Sequence, residues 1–194
     1  MNLEPMVRSA TFWKESVSQN ITITVTNQND NSPNITSAAA FNVDENQTAA
    51  FTGTATDADG DTISYSLTGA DASLFNIDSA TGVVTFITAP DREAPGDANG
   101  DNIYEVNLVA SDGVNTDVQA VSITVDNVNE APAITSSATA SVAENQTTAI
   151  DVNATDPDGQ ALTYTLSGAD ASLFNIDANT GEVTFIAAPD FESP

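Results

Sequence analysis

The chain has 194 residues, 40% of them hydrophobic, and its 28 acidic and 3 basic residues give a formal net charge of −25. This hydrophobic content is sufficient for folded cores, whereas the charge excludes a nucleic-acid partner, because phosphate binding requires lysine and arginine. The chain has neither cysteine nor histidine. This excludes disulfides, the usual zinc and copper ligands, and catalysis by a serine–histidine or cysteine–histidine pair, and it leaves oxygen ligands for a hard cation.

The first residues of the chain match its repeating sequence pattern least well. Residues 1–16 contain two of the three basic residues, Arg8 and Lys14, and no function is assigned to them. The string VSQNITITV at 17–25 resembles VQAVSITV at 118–125. We therefore expect residues 1–26 to be the diverged C-terminal tail of a preceding repeat, followed by a linker at 27–32.

An internal repeat organises the remainder. The string GADASLFNID at 69–78 recurs unchanged at 168–177, and this offset holds without a gap in both directions. It predicts a complete repeat at 33–126, a linker at 127–131 and a truncated repeat at 132–194, in which we expect the last strands to be missing. We interpret the chain as a fragment of a larger secreted or surface-anchored protein.

Apolar residues within each repeat alternate with polar ones, which is typical of half-buried β-strands. Asp-Gly, Thr-Gly and Ser-Asp-Gly turns separate these short runs. The pattern predicts an all-β fold of tandem Ig-like antiparallel β-sandwiches, with about seven strands per repeat. The alternating positions are Ile63, Tyr65, Leu67, Tyr104, Val106, Leu108, Ala110, Val121, Ile123 and Val125, then Ile150, Val152, Ala154, Leu162, Tyr164 and Leu166.

The acidic residues concentrate at strand ends and turns rather than along the strands. Because the turns of a sandwich gather at its two ends, acids that are distant in sequence can meet there. Crowded carboxylates without bases either raise one another's pKa or bind a cation. Calcium accepts six to eight oxygens from carboxylates, amides and carbonyls. The acids at these positions are Asp44, Glu45, Asp57, Asp59, Asp61, Asp91, Glu93, Asp97, Asp101, Asp112, Asp126 and Glu130.

Five motifs, in this order and spacing, resemble the cadherin repeat in its bacterial cadherin-like form. The resemblance covers residues 17–194. It implies tandem cadherin-like sandwiches with Ca²⁺ between consecutive domains, where the ions stiffen the rod. The motifs are the linker NQNDNSP at 27–33, Asp44-Glu45-Asn46, Asp57-Ala58-Asp59-Gly60, Asp91-Arg92-Glu93 and Ala110-Ser111-Asp112-Gly113.

The resemblance also implies calcium ligands at two junctions. At the second junction these are Glu45, Asp91 and Glu93 upstream, Asn127, Asn129 and Glu130 in the linker, and Asp156 and Asp158 downstream. At the first junction they are Asn27, Asn29, Asp30, Asn31, Asp57, Asp59 and Asp112, and we expect this site to be incomplete because the upstream acids of the family motifs are absent from this chain. Asn27 and Asn127 stand where the family usually has an aspartate, so we expect weak binding, in the millimolar range of extracellular modules.

The function implied by the resemblance is calcium-dependent adhesion, or service as a calcium-stiffened stalk, in a large extracellular or surface protein. The partners would be neighbouring repeats of the same chain and either like domains on another cell or a surface polysaccharide. We expect no membrane insertion, because no apolar run is long enough to cross a bilayer.

Other interpretations remain open at this point. The acids could merely solvate a sandwich from a salty habitat, or the fold could be a carbohydrate-binding module, although Tyr65, Phe75, Phe86 and Tyr104 fall on strand patterns typical of a core. We predict that the chain is not an enzyme, because its paired carboxylates recur in each repeat. The loop GDANGDN at 96–102 lacks the distal glutamate of an EF-hand, so it is either a polar turn or an accessory ion site.

Overall fold

The computed structural model describes residues 7–14 and 17–192, which divide into two compact units, one ending at Asn127 and the other beginning at Val128. No helix in these residues is long and apolar enough to span a membrane. The strands of the first unit are β1 (Val7–Lys14), β2 (Val17–Thr24), β3 (Asn34–Ile35), β4 (Ala40–Asp44), β5 (Ala49–Thr52), β6 (Ala55–Thr56), β7 (Ser64–Thr68), β8 (Phe75–Ile77), β9 (Val83–Phe86), β10 (Ile103–Ser111) and β11 (Thr116–Asp126).

Strands β3 to β11 form a β-sandwich. One sheet has the order β4-β11-β10-β7, the other has the order β5-β9-β8, and β3 pairs with β6. Because β3 with β4, and β5 with β6, are pieces of two interrupted strands, the sandwich has seven extended segments, in agreement with the sequence. The strand pairs of the sandwich are antiparallel, as predicted, except that β4 runs parallel to β11. Ahead of the sandwich, β1 and β2 form an antiparallel hairpin.

The centre of the core is formed by the predicted alternating residues of β10 and β11, with residues of β4, β5, β8 and β9 packed around them. Leu108, Ile123 and Val125 are completely buried. The rings of Phe86 and Tyr104 pack edge to face with centroids 5.1 Å apart. Because such positions remove large apolar surfaces from water, they supply most of the stability of a small sandwich. The aromatic residues that the sequence placed in the core are buried or half-buried.

A turn between β8 and β9 requires glycine. The N–H of Gly53 donates to the carbonyl of Gly82 (2.8 Å), whose φ is +71°. A Cβ on Gly82 would lie 2.3 Å from the Gly53 carbonyl oxygen, so only glycine fits. The second unit repeats the contact, since Val152 N–H donates to the carbonyl of Gly181 at 3.0 Å and Gly181 has a φ of +79°.

The second unit has fewer paired strands. The order β13-β16-β15 forms one sheet, and β12 pairs with β14. Residues 139–143 and 163–167, which correspond to β4 and β7, are not strands, so the expected strand at Leu162–Leu166 was wrong. In the first unit β4 pairs with β11 and β7 pairs with β10. No described residues of the second unit correspond to β10 and β11. The strands are β12 (Ala133–Ile134), β13 (Thr148–Asp151), β14 (Ala154–Thr155), β15 (Phe174–Ile176) and β16 (Glu182–Phe185).

The predicted boundaries of the tail, the two linkers and the two repeats stay predictions. The strands of the first sandwich begin at Asn34 and end at Asp126.

Candidate metal centre

The first linker is bound to the loop that follows β6. The main-chain N–H groups of Asp30 and Asn31 donate to Asp59 Oδ2 at 3.1 and 2.8 Å, and the Asn31 side-chain amide donates to both oxygens of the same carboxylate. Asn27 Nδ2 donates to the Asp59 carbonyl at 2.8 Å. The N–H groups of Asn31, main chain first, hold the pKa of Asp59 below its usual range. Asp59 is therefore an anionic anchor for the linker.

Asp57 orders the same loop with one of its oxygens. Its Oδ1 accepts the N–H groups of Asp59 and Asp61 at 2.9 and 3.1 Å. Its Oδ2 is buried and has no hydrogen-bond partner among the described residues. The carboxylate thus fixes the turn with one oxygen and leaves the other available.

Asp112 repeats this arrangement on the turn between β10 and β11. Its Oδ1 accepts the N–H groups of Val114 and Asn115 at 2.7 and 2.6 Å, and the Asn115 bond is the main reason that the pKa of Asp112 is lowered. Its Oδ2 is buried without a partner in the described part of the chain. Asn115 Nδ2 also donates to Asn29 Oδ1 (3.3 Å) and to the carbonyl of Asn31 (3.2 Å), which joins this turn to the linker.

Asp61 is another acid whose Oδ2 is buried and unpartnered within residues 7–14 and 17–192. Its pKa is raised, first by its removal from water and then by the charges of Asp57, Asp59 and Asp112. One ligand oxygen from each of Asp57, Asp59 and Asp61 lies within 4.8 Å of the others. We call the carboxylates of Asp57, Asp59, Asp61 and Asp112 the linker cluster. The unpartnered oxygens of Asp57, Asp61 and Asp112, and the mutual repulsion of the four carboxylates, fit a hard cation.

A second group, which we call the Glu45 cluster, lies after β4 and β9. Ligand oxygens of Glu45, Asp91 and Glu93 lie within 4.8 Å of one another. Glu45 is only 2% exposed, and its Oε2 accepts the N–H of Arg92 at 2.8 Å. Arg92 Nη1 donates to the Val125 carbonyl, so the loop that carries these acids is fastened to the end of β11.

The second unit reproduces both loops in altered form. Glu130 N–H donates to Asp158 Oδ2 at 2.7 Å, as Asn31 does to Asp59. Asp156 Oδ1 accepts the N–H of Gln160 at 3.1 Å, but Gln160 stands where the first repeat has Asp61, and its side-chain amide donates to Asn129. One carboxylate of the linker cluster is therefore an amide here. A counterpart of the Glu45 cluster is present, with oxygens of Glu144, Asp190 and Glu192 within 4.8 Å of one another.

The buried acid of the loop at 96–102 has a different role. Both oxygens of Asp97 accept main-chain N–H groups, from Gly100, Asp101 and Asn102, at 2.7 to 3.1 Å. Because these bonds fix the loop itself, the geometry favours the polar-turn interpretation over an accessory ion site.

The ligands predicted at the first junction meet in the first unit. Of the second set, Glu45, Asp91, Glu93 and Asn127 lie in the first unit, and Asn129, Glu130, Asp156 and Asp158 lie in the second. Sequence reasoning noted Asp61 as an acid but did not include it among the candidate ligands. The signal was available, because Asp57, Asp59 and Asp61 alternate along one tight loop.

Comparison with known families follows the same division. Residues 39–126 match the cadherin domain model, and residues 129–194 match the model of a bacterial Ig domain. Residues 39–126 are a cadherin domain. The two units share the unchanged string GADASLFNID, so they are related in sequence although they match different family models.

Relatives of the cadherin domain include very long proteins. Protocadherin Fat 4 of Mus musculus is 34% identical over 143 residues, which are 68% of this chain and 3% of that protein. Halomucin of Haloquadratum walsbyi is 32% identical over 128 residues, which are 61% of this chain and 1% of that protein. The chain thus spans only a few per cent of the relatives that it matches.

The fold is also that of solved cadherin repeats. The form II crystal structure of human protocadherin-24 EC1-2 has a TM-score of 0.59 and 21% identity, covering 83% of this chain and 80% of that one. Another crystal structure of human protocadherin-24 EC1-2 has a TM-score of 0.58 and 20% identity. The all-β sandwich prediction is confirmed. The match of residues 39–126 to the cadherin domain model also agrees with the prediction of cadherin-like repeats and with the prediction that the chain is not an enzyme.

Proposed function

We propose that the linker cluster of the cadherin domain binds calcium, and that the chain is part of an extracellular or surface protein whose repeats calcium stiffens for adhesion or as a stalk. The observation that carries the proposal is the set of buried oxygens without partners among the described residues, on Asp57, Asp61 and Asp112, around a linker that is already bound to Asp59. Removing carboxylate oxygens from water without a partner is unfavourable, and a cation would relieve it.

Calcium suits this site better than other metals. All donors in the cluster are oxygens, and the chain has no thiol or imidazole. Calcium accepts irregular sets of six to eight oxygens, whereas magnesium requires a near-octahedral set. Oxygens of the linker, such as Oδ1 of Asn29, would complete the coordination shell of the ion. The bound ion would neutralise the repelling carboxylates and tie the linker to two turns of the sandwich.

We further propose that the ligands predicted at the second junction also bind calcium, and that the Glu45 cluster supplies the upstream ligands. Support comes from the mutual proximity of Glu45, Asp91 and Glu93 and from the resemblance to the D-R-E motif of cadherins. The linker and downstream ligands would be Asn127, Asn129, Glu130, Asp156 and Asp158. Fewer acids than in the family pattern should make both sites weak.

The names of the relatives support the extracellular setting. Protocadherin Fat 4 and halomucin are long proteins that contain sequence similar to this chain. The whole protein's adhesive partner, a like domain or a surface polysaccharide, is part of the proposal. Neighbouring repeats of the same chain are the nearest partners that calcium would connect.

Calorimetric titration with calcium at constant ionic strength tests the proposal, together with melting curves in calcium and in chelator. Calcium at about ten times the dissociation constant should stabilise the first unit by about 1.4 kcal/mol. Asp61→Asn should raise the melting temperature in chelator, because it removes a repelled charge, and should reduce the gain from calcium. Asp151→Asn makes the same charge change on an exposed strand of the second unit and should alter neither value for the first unit.

Asp91→Asn addresses the second set separately. It should remove part of the bound calcium while the sites that depend on Asp61 remain. If wild-type protein melts identically in calcium and in chelator at matched ionic strength, and takes up no calcium, the proposal is wrong.

A further inference from the structure

The loop at 96–102 contains the one Asn-Gly dipeptide of the chain, Asn99-Gly100. An asparagine before glycine is prone to deamidation, because a residue without a Cβ offers little hindrance when its nitrogen attacks the asparagine side chain. Both residues are exposed to solvent, and a Cβ on Gly100 would meet no atom within 4 Å. Neither burial nor crowding therefore protects Asn99.

Deamidation requires two neighbouring groups to react. The main-chain nitrogen of Gly100 gives up its proton and attacks Cγ of Asn99, and the Asn99 side-chain nitrogen leaves with a proton as ammonia. The product is a five-membered succinimide ring, which water opens to aspartate or to isoaspartate. Water is the only co-reactant, so the rate depends on how freely the Gly100 nitrogen and the Asn99 amide can approach each other.

The structure bonds each of these two groups to a carboxylate. Gly100 N–H donates to Asp97 Oδ2 at 2.7 Å, and Asn99 Nδ2 donates to Asp101 Oδ2 at 3.0 Å. Two anions beside the reacting atoms also disfavour the negative charge that develops on the Gly100 nitrogen and then on the Asn99 side-chain oxygen. Both bonds therefore oppose the reaction.

Asp97 is a poor base for removing the Gly100 proton. Burial would raise its pKa, but the N–H groups of Asp101, Asn102 and Gly100 outweigh that effect and hold the pKa below its usual range. A carboxylate of low pKa is a weak proton acceptor in general-base catalysis. The bond from Gly100 to Asp97 therefore withholds the proton instead of removing it.

A second buried acid keeps the loop closed. Asp71 is only 3% exposed, and its Oδ1 accepts the N–H of Ala98 at 2.8 Å, one residue before Asn99. Its Oδ2 accepts a main-chain N–H near the start of β10 at 2.7 Å. The loop is thus fastened to the sandwich, and opening it requires these bonds to break as well as those to Asp97.

We propose that Asn99 is a deamidation site that Asp97 and Asp101 protect in the closed loop, and that it is modified when the loop opens. The change is irreversible. It replaces the bond between Asn99 and Asp101 with repulsion between two carboxylates, and isoaspartate also adds a methylene group to the main chain. The modified loop cannot close as before, so modified molecules accumulate with each opening.

The modified loop lies next to the Glu45 cluster in the network of hydrogen bonds. Asn102 Nδ2 donates to the Arg92 carbonyl at 2.9 Å, and Arg92 N–H donates to Glu45 Oε2 at 2.8 Å. Deamidation at Asn99 would therefore loosen a support of the loop that carries Asp91 and Glu93.

Peptide mass spectrometry of the full chain, aged either folded or in urea, tests the proposal by measuring how fast Asn99 is converted. Because hydrogen bonds to charged groups must break first, the folded protein should convert at least about ten times more slowly than the unfolded chain. Asp97→Ala and Asp101→Ala should each remove part of this protection. Glu105→Ala, the matched control, removes an exposed acid of β10 and should keep the wild-type rate.

Urea melts of each variant give its unfolded fraction, so that conversion through global unfolding is subtracted. Asp101→Ala changes an exposed acid, and it keeps the test decisive if Asp97→Ala does not fold. A folded wild type that loses the Asn99 amide as fast as the unfolded chain overturns the proposal. Folded aspartate variants that convert no faster than Glu105→Ala overturn it as well.

Discussion

Asn31 and Asp59 are joined by three hydrogen bonds, one from the main-chain N–H at 2.8 Å and two from the side-chain amide at 2.9 and 3.0 Å. The two residues are 28 positions apart, so these bonds close a loop between the linker and the sandwich. A linker held in this way loses less conformational freedom when a ligand binds, which favours binding.

The first prediction concerns this connection. Asp59→Ala removes the acceptor of the Asp30 and Asn31 N–H groups, so both amides should exchange faster with solvent. Hydrogen exchange in chelator, followed by mass spectrometry of linker peptides, measures the effect. Asp61→Ala removes an equal charge from the same loop without a bond to the linker and should leave these amides protected. Unchanged exchange in Asp59→Ala would contradict the interpretation.

The second prediction is a pH dependence at Asp97. Burial alone would raise its pKa, but the N–H groups of Asp101, Asn102 and Gly100 together outweigh that effect and hold the pKa below its usual range. Because the folded pKa is lower than the unfolded value of about 3.9, the stabilisation is complete above that pH. It is lost as the pH falls through the folded pKa.

Asp97→Asn should therefore lower the free energy of unfolding at neutral pH by about 1–3 kcal/mol, the cost of leaving a buried donor unsatisfied. It should also flatten the dependence of stability on pH in the acid range. Urea melts across that range measure both effects. Asp101→Asn, on an exposed acid of the same loop, should destabilise less, and equal losses in the two variants would count against the assignment.

The third prediction compares two glycines with nearly equal dihedral angles. Gly60 has a φ of +79°, and a Cβ added to it would meet no atom within 4 Å, whereas a Cβ on Gly82 would lie 2.3 Å from the Gly53 carbonyl oxygen. Gly60→Ala should cost about 1–2 kcal/mol for its left-handed conformation alone. Gly82→Ala should cost considerably more, because main chain must move. Thermal melts in chelator separate the two, and similar losses would show that the turn relaxes freely.

The sequence was sufficient to predict those elements that are specified by residues close together in the chain. Alternation from Tyr104 to Ala110 identifies a buried face, because the side-chain period of a strand is two. Crowded acids at turns predicted a cation site, because the turns of a sandwich meet at its ends.

Pairing partners were harder to predict. No local pattern states that β4 runs parallel to β11, and the alternation at Leu162–Leu166 predicted a strand whose neighbour is not among the described residues. Strand formation depends on hydrogen bonds to another segment, so the alternating pattern was insufficient. Asp61 was not included among the candidate ligands for a related reason, since the burial of its Oδ2 depends on the fold and not on a local pattern.

The parallel pairing of β4 with β11 has a mechanical consequence. These are the first long strand and the last strand of the cadherin domain, and they pair over five residues from Ala40 with Ser122 to Asp44 with Asp126. Tension applied through the flanking linkers pulls β4 backwards and β11 forwards along a common axis. Their hydrogen bonds are then loaded in shear and must break together, so the domain resists extension best along the line on which its neighbours would pull.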